Sequence, residues 1–339
     1  MATLWRAMSA ENEVLAAARA GDESAFDRLV APYRRELRAH CYRMSGSIQD
    51  ADDLLQESLL RVWRGLAGFE GRASFRTWIY KVTTHVCLDR LETRAARHLP
   101  ADLGPPLRDG RGIGTPREDP IWLEPCPADL YAGPSSPEAR YSQREGVALA
   151  FLTALQVLPP KQRVVLLLRD VVGWEASECA ELLETSVASV TSALQRARET
   201  LAARGERRPT LPADAATAAV LARYVRAWEH ADVDELVALL HEEATLAMPP
   251  YAEWLIGAGA IGAAIDVMVF QPAGPGVFRL VPTEASGAPA FTAWRRDPAR
   301  GELQPMGVHL LEVEGGRIAA MVAFLDPALP PRFTPPPAR

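Results

Sequence analysis

Nine prolines fall between His98 and Tyr141: Pro100, Pro105, Pro106, Pro116, Pro120, Pro125, Pro127, Pro134 and Pro137. Each fixes its own φ and removes a backbone donor, so the stretch can hold neither a helix interior nor a central strand. Residues 99–141 therefore read as an extended linker, partly disordered. A shorter break over 206–213 contains the PTLPAD sequence. A single continuous core is excluded. The 339 residues suit two or three domains, and 48% of them are apolar, enough to fill full-sized cores. Three segments remain to be read: 11–98, 142–205 and 214–330. Within the long linker, Ile121, Trp122 and Leu123 form an apolar island suited to pinning it to a neighbour.

The first segment reads as all-helical, after a loose leader over residues 1–10. Asp22 caps a helix with Phe26, Leu29, Val30, Tyr33, Leu37, Cys41 and Met44 on one face, ended by Gly46. His40, beside that stripe, reads as a packed surface residue and not a ligand. The next helix places Leu55, Leu59, Val62 and Leu66 on one face. Its other face carries Asp53, Glu57, Leu60 and Arg64. A Leu inside an acidic stripe hints at docking, against the plainer reading of one exposed Leu on a surface helix. A corner from Gly68 to Gly71 leads to a helix capped by Ser74 and rich in Phe75, Trp78, Ile79, Tyr80, Val82, Val86 and Leu88. Arg72, Arg76, Lys81, Arg90, Arg94 and Arg97 there outnumber Asp89 and Glu92. Rings interleaved with cations suit a phosphate backbone with unstacked bases. The alternative is that the rings hold the core while the arginines solubilise it.

In the second segment, helical periodicity resumes at Gln143 with Val147, Phe151, Ala154, Leu155 and Leu158 on one face. Pro159 and Pro160 open a buried helix that ends near Gly173. A short helix over 175–183 and a turn at Glu184 and Thr185 follow, and Ser186 caps another helix. There Val187, Val190, Leu194, Ala197 and Leu201 are spaced to pack inward. The opposite arc offers Ser189, Thr191, Ser192, Gln195 and Arg196, with Arg198 on its flank. Short hydroxyls, an amide and guanidiniums can reach base edges and phosphates in a major groove. A short helix, a tight turn and a longer helix make a helix-turn-helix.

The third segment places helices before strands, an α+β pattern. Asp214 caps a helix with Leu221, Tyr224, Val225 and Trp228 in one stripe, and HADVDELVALL forms a second. Strands are expected over 245–248, 277–281, 289–295, 308–314 and 317–324, mutually antiparallel. Gly315-Gly316 joins the last two as a hairpin. GAGAIGAAIDVMVF reads as a Gly/Ala-rich helix between strands. Polar candidates for a pocket are His230, Asp232, Tyr251, Trp254, Arg279 and His309. No pair among them has a spacing that demands catalysis, and Asp232 reads equally well as a helix cap. No catalytic residue is assigned.

The net charge of −6 lies wholly in the part after Arg208, which holds nine basic and fifteen acidic residues. That balance argues against a free-standing duplex binder, but not against a subunit that reaches DNA within a larger complex. Cys41, Cys87, Cys126 and Cys179 are scattered without a CxxC pair, so neither a zinc site nor a disulfide framework is expected and a reducing cytoplasm is the natural setting. No apolar run nears the roughly 20 residues of a membrane span. The first residues lack the basic-then-apolar order of a signal peptide.

DADDLLQESLLRVWRGL and FEGRASFRTWIYKVTTHVCLD resemble region 2 of bacterial sigma factors of the extracytoplasmic-function (ECF) type. LPPKQRVVLLLRDVVGW and the helix-turn-helix after it resemble region 4 of the same family. YVRAWEHADVDELVALLHEEATLAMPP, YAEWLIGAGAI and IAAMVAFLDP resemble the SnoaL-like branch of the NTF2-like fold. The resemblance implies a multidomain chain, with two all-α sigma domains, a region 2 helical bundle and a region 4 helix-turn-helix, followed by an α+β NTF2-like domain. It implies that Asp53, Glu57, Leu60 and Arg61 face the clamp helices of the polymerase beta-prime subunit, and that region 4 meets the beta flap. Phe69, Trp78 and His85 would lie near a captured −10 base, with Arg72, Arg76 and Lys81 on the DNA side. His85 stands where many members have Asn, which leaves the preferred base open. Ser189, Thr191, Ser192, Gln195 and Arg196 would read the −35 element, with Arg198 on a phosphate or in an intrahelical pair. The linker would thread the RNA-exit path.

The last domain would modulate activity through a pocket near Tyr251, Trp254 and His309, by a small-molecule ligand or an intramolecular contact. No cofactor, metal or enzymatic activity is called for; phosphodiester chemistry belongs to the polymerase. Two rivals are a stand-alone helix-turn-helix regulator with a ligand-sensing domain, and a SnoaL-type enzyme fused to a DNA-binding module. Neither accounts for residues 50–97.

Overall fold

Pro32 decides the first local structure. Its ring cannot continue a helix, and the single helix expected from Asp22 to Gly46 is broken there into α1 (Glu23–Val30) and α2 (Arg34–Ser45). The computed structural model describes residues 13–93, 95–118, 122–130, 148–203 and 215–337. Arg94, Ile121, the helix start at Gln143, the 206–213 linker and the Asp214 cap lie outside them. The chain divides into two compact units, one from Met1–Ala95 with Ala154–Gly205, the other from Ala96–Thr153 with Glu206–Arg339.

In the first unit, Asp22 accepts from the Ala25 amide at 3.0 Å, and Gly46 ends α2 in the left-handed conformation. Ser47 caps α3 (Ile48–Gly65), which buries Ala51, Leu54, Leu59 and Val62. The buried stripe thus runs through Leu54, not Leu55. A 3-10 turn over Leu66–Gly68 leads to α4 (Phe75–Glu92), capped by Ser74 on the Thr77 amide. His40, expected near the surface, is 1% exposed and bonded to the Thr84 hydroxyl at 3.2 Å. Burial pushes its pKa down to about 3, so it packs as a neutral ring.

After α5 (Leu149–Gln156) come α6 (Pro160–Leu166), a π-helical turn over Leu167–Val171, α7 (Ala176–Leu182) and α8 (Val187–Ala202). Within the first unit, α6 packs on α2 and α4, α7 on α4, and α8 on α6 and α7. Arg163 on α6 is 3% exposed. Its guanidinium donates to the Met44 carbonyl, to the Gln156 side-chain oxygen at 3.0 Å and to the Gln156 carbonyl at 3.0 Å. Met44 lies in the last turn of α2, the negative end of that helix. Burial lowers the arginine pKa to about 10, which leaves it charged at neutral pH.

The second unit is built on α9 (Ala215–His230), α10 (Val233–Leu239) and a six-stranded sheet. The strands are β1 (Leu240–Ala247), β2 (Trp254–Ile256), β3 (Phe278–Ala285), β4 (Ala288–Arg296), β5 (Leu303–Glu314) and β6 (Arg317–Phe324). Their order is β2-β1-β6-β5-β4-β3. The sheet is mixed, not wholly antiparallel: β1 runs parallel to β6, because the chain crosses over through α11 (Ala258–Ile265) between them. The three-residue β2 was not expected. Bulges at Ala293/Trp294 and Glu312/Val313 bend the sheet around α9. Tyr224, Trp228, Phe291 and Leu311 belong to the enclosed core.

The proline-rich linker is bound to this unit. Leu107 pairs with the free edge of β2, donating to the Trp254 carbonyl at 2.8 Å and accepting from the Ile256 amide at 3.0 Å. At the other end, at the β3–β4 turn, the Ser286 amide donates to the Cys126 carbonyl at 2.7 Å and the Cys126 amide donates to the Ser286 hydroxyl at 2.9 Å. Gly110 lies between, at φ +71, and a Cβ there would stand 2.6 Å from the Ala260 carbonyl oxygen. Within its described residues, 99–118 and 122–130, the linker is hydrogen-bonded to this unit at Leu107, Arg117 and Cys126.

Replacing Arg163 with Met leaves three buried oxygens unpaired. The expected loss is about 2–3 kcal/mol of first-unit stability. Urea unfolding of the full chain measures it, and an unchanged midpoint would show that those oxygens find other partners.

Candidate nucleic-acid interface and cavity

The outward face of α3 has one large apolar residue, Leu60, 52% exposed. Asp53 and Glu57 flank it, both exposed. Arg61 bridges Glu57 and Asp89, at 2.9 Å each, and both carboxylates raise its pKa. The pair joins α3 to α4 and fixes the acidic side chains in place. Asp53 accepts from the Gln49 amide at 3.1 Å.

The corner between α3 and α4 forms a small aromatic recess. Phe69 is buried and lies against Trp78, with ring centroids 5.0 Å apart and planes at 36°, and Phe75 closes the cluster edge-on. Trp78 is half-buried, so one face of its ring is available. A recess of about 200 Å³ opens there, bordered by Phe69, Arg72, Trp78 and Lys81, with Glu181 and Leu182 of α7 as its far wall. Of the rings on this helix, Phe75 and Tyr80 are core, as is Ile79 beside them, while Trp78 is half-buried.

The cations divide in the same way. Arg76 pairs with Glu36 at 3.1 Å and stacks over the Tyr80 ring at 5.2 Å, so its charge is committed within the unit. Arg72 is exposed and pairs only with Glu70 next to it. Lys81 reaches Glu184 at 2.7 Å, and that contact lowers the Glu184 pKa. His85 donates from Nδ1 to the Lys81 carbonyl at 2.7 Å. That bond leaves Nε2 of the neutral ring as an acceptor.

On α8, Ser186 caps the Ser189 amide at 3.1 Å, and Val190, Ala193, Leu194 and Ala197 face inward. Ser189, Thr191, Ser192, Gln195 and Arg196 are all exposed on one arc. Gln195 is held by Glu199 at 2.9 Å. Arg198 makes neither the intrahelical pair nor an open contact: it grips Asp170 at 2.7 and 3.0 Å. Val187, expected inside, is 48% exposed at the first helical position. It lies one turn before Thr191, on the exposed arc, and its place at N1, ahead of the packed stripe, is the signal that identifies it.

The second unit contains a cavity of about 640 Å³ between α9 and the concave face of the sheet. Of the three residues expected there, only His309 lines it. Trp254 instead donates its indole N–H to the Gly104 carbonyl at 2.7 Å, fastening the linker. Tyr251 packs beside the core near the Pro249-Pro250 turn. Asp232 caps α10 on the Glu235 amide, His230 bonds back to the Arg226 carbonyl on the surface, and Arg279 pairs with Glu229 at 3.0 Å. The residues not foreseen are Tyr224 and Trp228, which the sequence marked only as an apolar stripe. Tyr224 shares a hydrogen bond of 3.0 Å with His309 Nδ1. Burial lowers the His309 pKa to about 4 and pushes that of Tyr224 far above its ordinary value, so both are neutral at pH 7.

An aromatic recess beside a cationic helix, an exposed helix-turn-helix arc and a separate conical α+β domain together define a promoter-recognition subunit. The comparisons agree. The Sigma-70 region 2 model matches residues 29–97, the Sigma-70 region 4 model residues 148–201 and the SnoaL-like domain model residues 221–321. The ECF RNA polymerase sigma factor SigG of Mycobacterium tuberculosis is 44% identical over 320 residues, covering 93% of this chain and 84% of SigG. SigJ of the same organism is 29% identical over 319 residues, 89% of this chain and 91% of SigJ. The crystal structure of SigJ superposes with a TM-score of 0.57 at 24% identity, over 90% of this chain and 97% of SigJ, and shows the same fold.

The chain belongs to the ECF family of RNA polymerase sigma factors and carries a C-terminal SnoaL-like domain. As a sigma factor it binds core RNA polymerase and promoter DNA and directs where transcription starts. Among the described residues, no helix is long and apolar enough to cross a membrane.

The depressed His309 pKa sets a pH dependence. Between about pH 6.5 and 4 the unfolded chain binds a proton that the folded ring does not, so stability is full above that window and falls as the pH drops through it. The loss from this group is on the order of 3 kcal/mol at most. Urea unfolding of the second unit at pH 7 and 4.5 should show it, and His309→Phe should flatten the difference.

Proposed function

We propose that α3 and α4 carry the core-polymerase and −10 functions over residues 11–98, that α8 reads the −35 element within residues 142–205, and that residues 214–330 adjust their activity. Leu60, ringed by Asp53, Glu57 and Arg61, is suited to a helical partner with an apolar spot and basic flanks. In a sigma factor that partner is the beta-prime clamp helices, and region 4 meets the beta flap. The recess of Phe69 and Trp78 takes one unstacked −10 base, while Arg72 and Lys81 hold phosphates. His85 offers an acceptor at Nε2, which favours a base that presents an amino group. Arg76, committed to Glu36, stiffens α4 more than it touches DNA.

On α8, Ser189, Thr191, Ser192, Gln195 and Arg196 face base edges and phosphates. Val187 adds an apolar contact suited to a thymine methyl. Arg198, held by Asp170, orients the helix. Lys81 must leave Glu184 before it can hold DNA, so α4 works fully only once α7 moves away from the recess.

The chain lowers the cost of strand separation by binding unstacked bases and performs no bond chemistry. Its place of action is the cytoplasm, with the polymerase. In the last domain, neutral His309 and the capping Asp232 are poorly suited as general bases, and the cavity serves a small-molecule ligand that modulates initiation. The observation that carries this reading is the half-open Trp78 ring stacked on Phe69 beside Lys81, all on one corner.

Run-off transcription with purified core polymerase tests it. Trp78→Ala should reduce open-complex formation more than polymerase association, and an equal loss of both would remove Trp78 from the recess role. Arg196→Ala should weaken −35 discrimination by about 1–3 kcal/mol. Ending the chain after Arg208 should change transcript levels while core binding persists; identical transcripts would count against modulation by the last domain.

A further inference from the structure

Two buried nitrogens on the wall of the C-terminal cavity have no hydrogen-bond partner among the described residues: Trp228 Nε1 and His309 Nε2. The two residues are 6% and 1% exposed, and their rings lie 4.7 Å apart between centroids. A buried donor left unpaired is costly, and native interiors seldom keep one without a reason. Two side by side on one cavity wall make a polar anchor point.

The proton positions follow from the neighbours. Trp228 can only donate. Burial keeps Tyr224 protonated, and its hydroxyl lies 3.0 Å from His309 Nδ1. With the phenol donating to Nδ1, the ring proton of His309 resides on Nε2. Both orphan groups are therefore N–H donors.

Leu246, Met248, Ile265, Phe278, Met306 and Met321 supply an apolar part of the wall. The volume, about 640 Å³, falls within the range of small-molecule sites. The cavity is not sealed. Met268, 42% exposed, stands at its edge on a π-helical turn over Asp266–Phe270, and neighbouring Val267 is 63% exposed. Such turns are common at functional positions. Arg295, Arg296, Asp297 and Gln304 line the end of the cavity at the β4–β5 turn, away from His309 along the strand. His309 is neutral, so a carboxylate at the anchor would have no counter-charge beside it.

The geometry points to a binding site for a neutral, largely apolar molecule whose carbonyl oxygen accepts from Trp228 Nε1 and His309 Nε2. The inference deepens the ligand reading above and rests on it. It adds the ligand's chemical class and the two groups that select it. Met248, Met268, Met306 and Met321 around the chamber suit a flat or irregular hydrophobic body, because methionine adapts its shape.

The test uses the full chain with three probes of similar shape: 9-fluorenone, fluorene, and fluorene-9-carboxylate. Calorimetry should give fluorenone at least a ten-fold tighter Kd than either other probe. In protein labelled with 15N-tryptophan, fluorenone should shift the Trp228 indole resonance, assigned through Trp228→Phe. That variant and His309→Leu should each bring fluorenone down to the affinity of fluorene. The comparison among probes on the unmodified protein stands even if a variant fails to fold. Equal binding of fluorenone and fluorene, preference for the carboxylate, or no binding of any probe would each overturn the inference. Its failure is separable from that of the modulation reading: fluorenone binding with no effect of the last domain on transcripts would sink only the latter.

Discussion

A single buried guanidinium holds the two helical parts of the first unit in register. Arg163 reaches out from α6 to the last turn of α2 and to the end of α5, so three separate segments share one cation. It stays charged because the carbonyl oxygens around it replace much of the water it has lost. Around that point the rest follows. Trp174 packs its ring against Tyr80 at 5.2 Å, and Arg76 lies over both rings. Glu184, at the turn before α8, reaches Lys81. Helix α4 and the helix-turn-helix module are thereby packed together by polar contacts at the edges and rings at the centre.

That packing explains why cations of one helix differ in role. Arg76 and Lys81 are both on α4, yet Arg76 is part-buried and paired with Glu36, while Lys81 makes a single exposed contact across to the turn. An exposed ion pair contributes little and is easily exchanged for a phosphate; a part-buried, stacked one is not. The position of each side chain in the packed unit, more than its charge, assigns its work.

Local chemistry was readable from residues whose physics is local. Asp22, Ser74 and Ser186 accept the amides that their positions implied, and the Gly315-Gly316 pair turns a hairpin with both residues at positive φ. The helix-turn-helix arc was equally plain, since alternate faces of α8 differ so strongly in polarity. The Pro32 break had its signal in the sequence, but a continuous apolar stripe outweighed it. What depends on distant partners was hidden. No periodicity reveals that β1 lies parallel to β6, that a three-residue β2 exists, or that Trp254 serves the linker and not the cavity. Trp228 and Tyr224 looked like core, and they are core; their second role appears only when His309, far along the chain, is brought against them.

The attachment of Leu107 to β2 has a consequence for the sheet itself. β2 is the outermost strand on that side, and an uncovered edge is a template for pairing with another chain. The proline-rich segment occupies those amides and carbonyls while lacking the donors to extend the ladder further. It acts as a terminator for lateral growth, and a fragment beginning at Ala215 would present a bare margin prone to self-association. The connector between the two helical modules thus covers the open edge of the α+β domain.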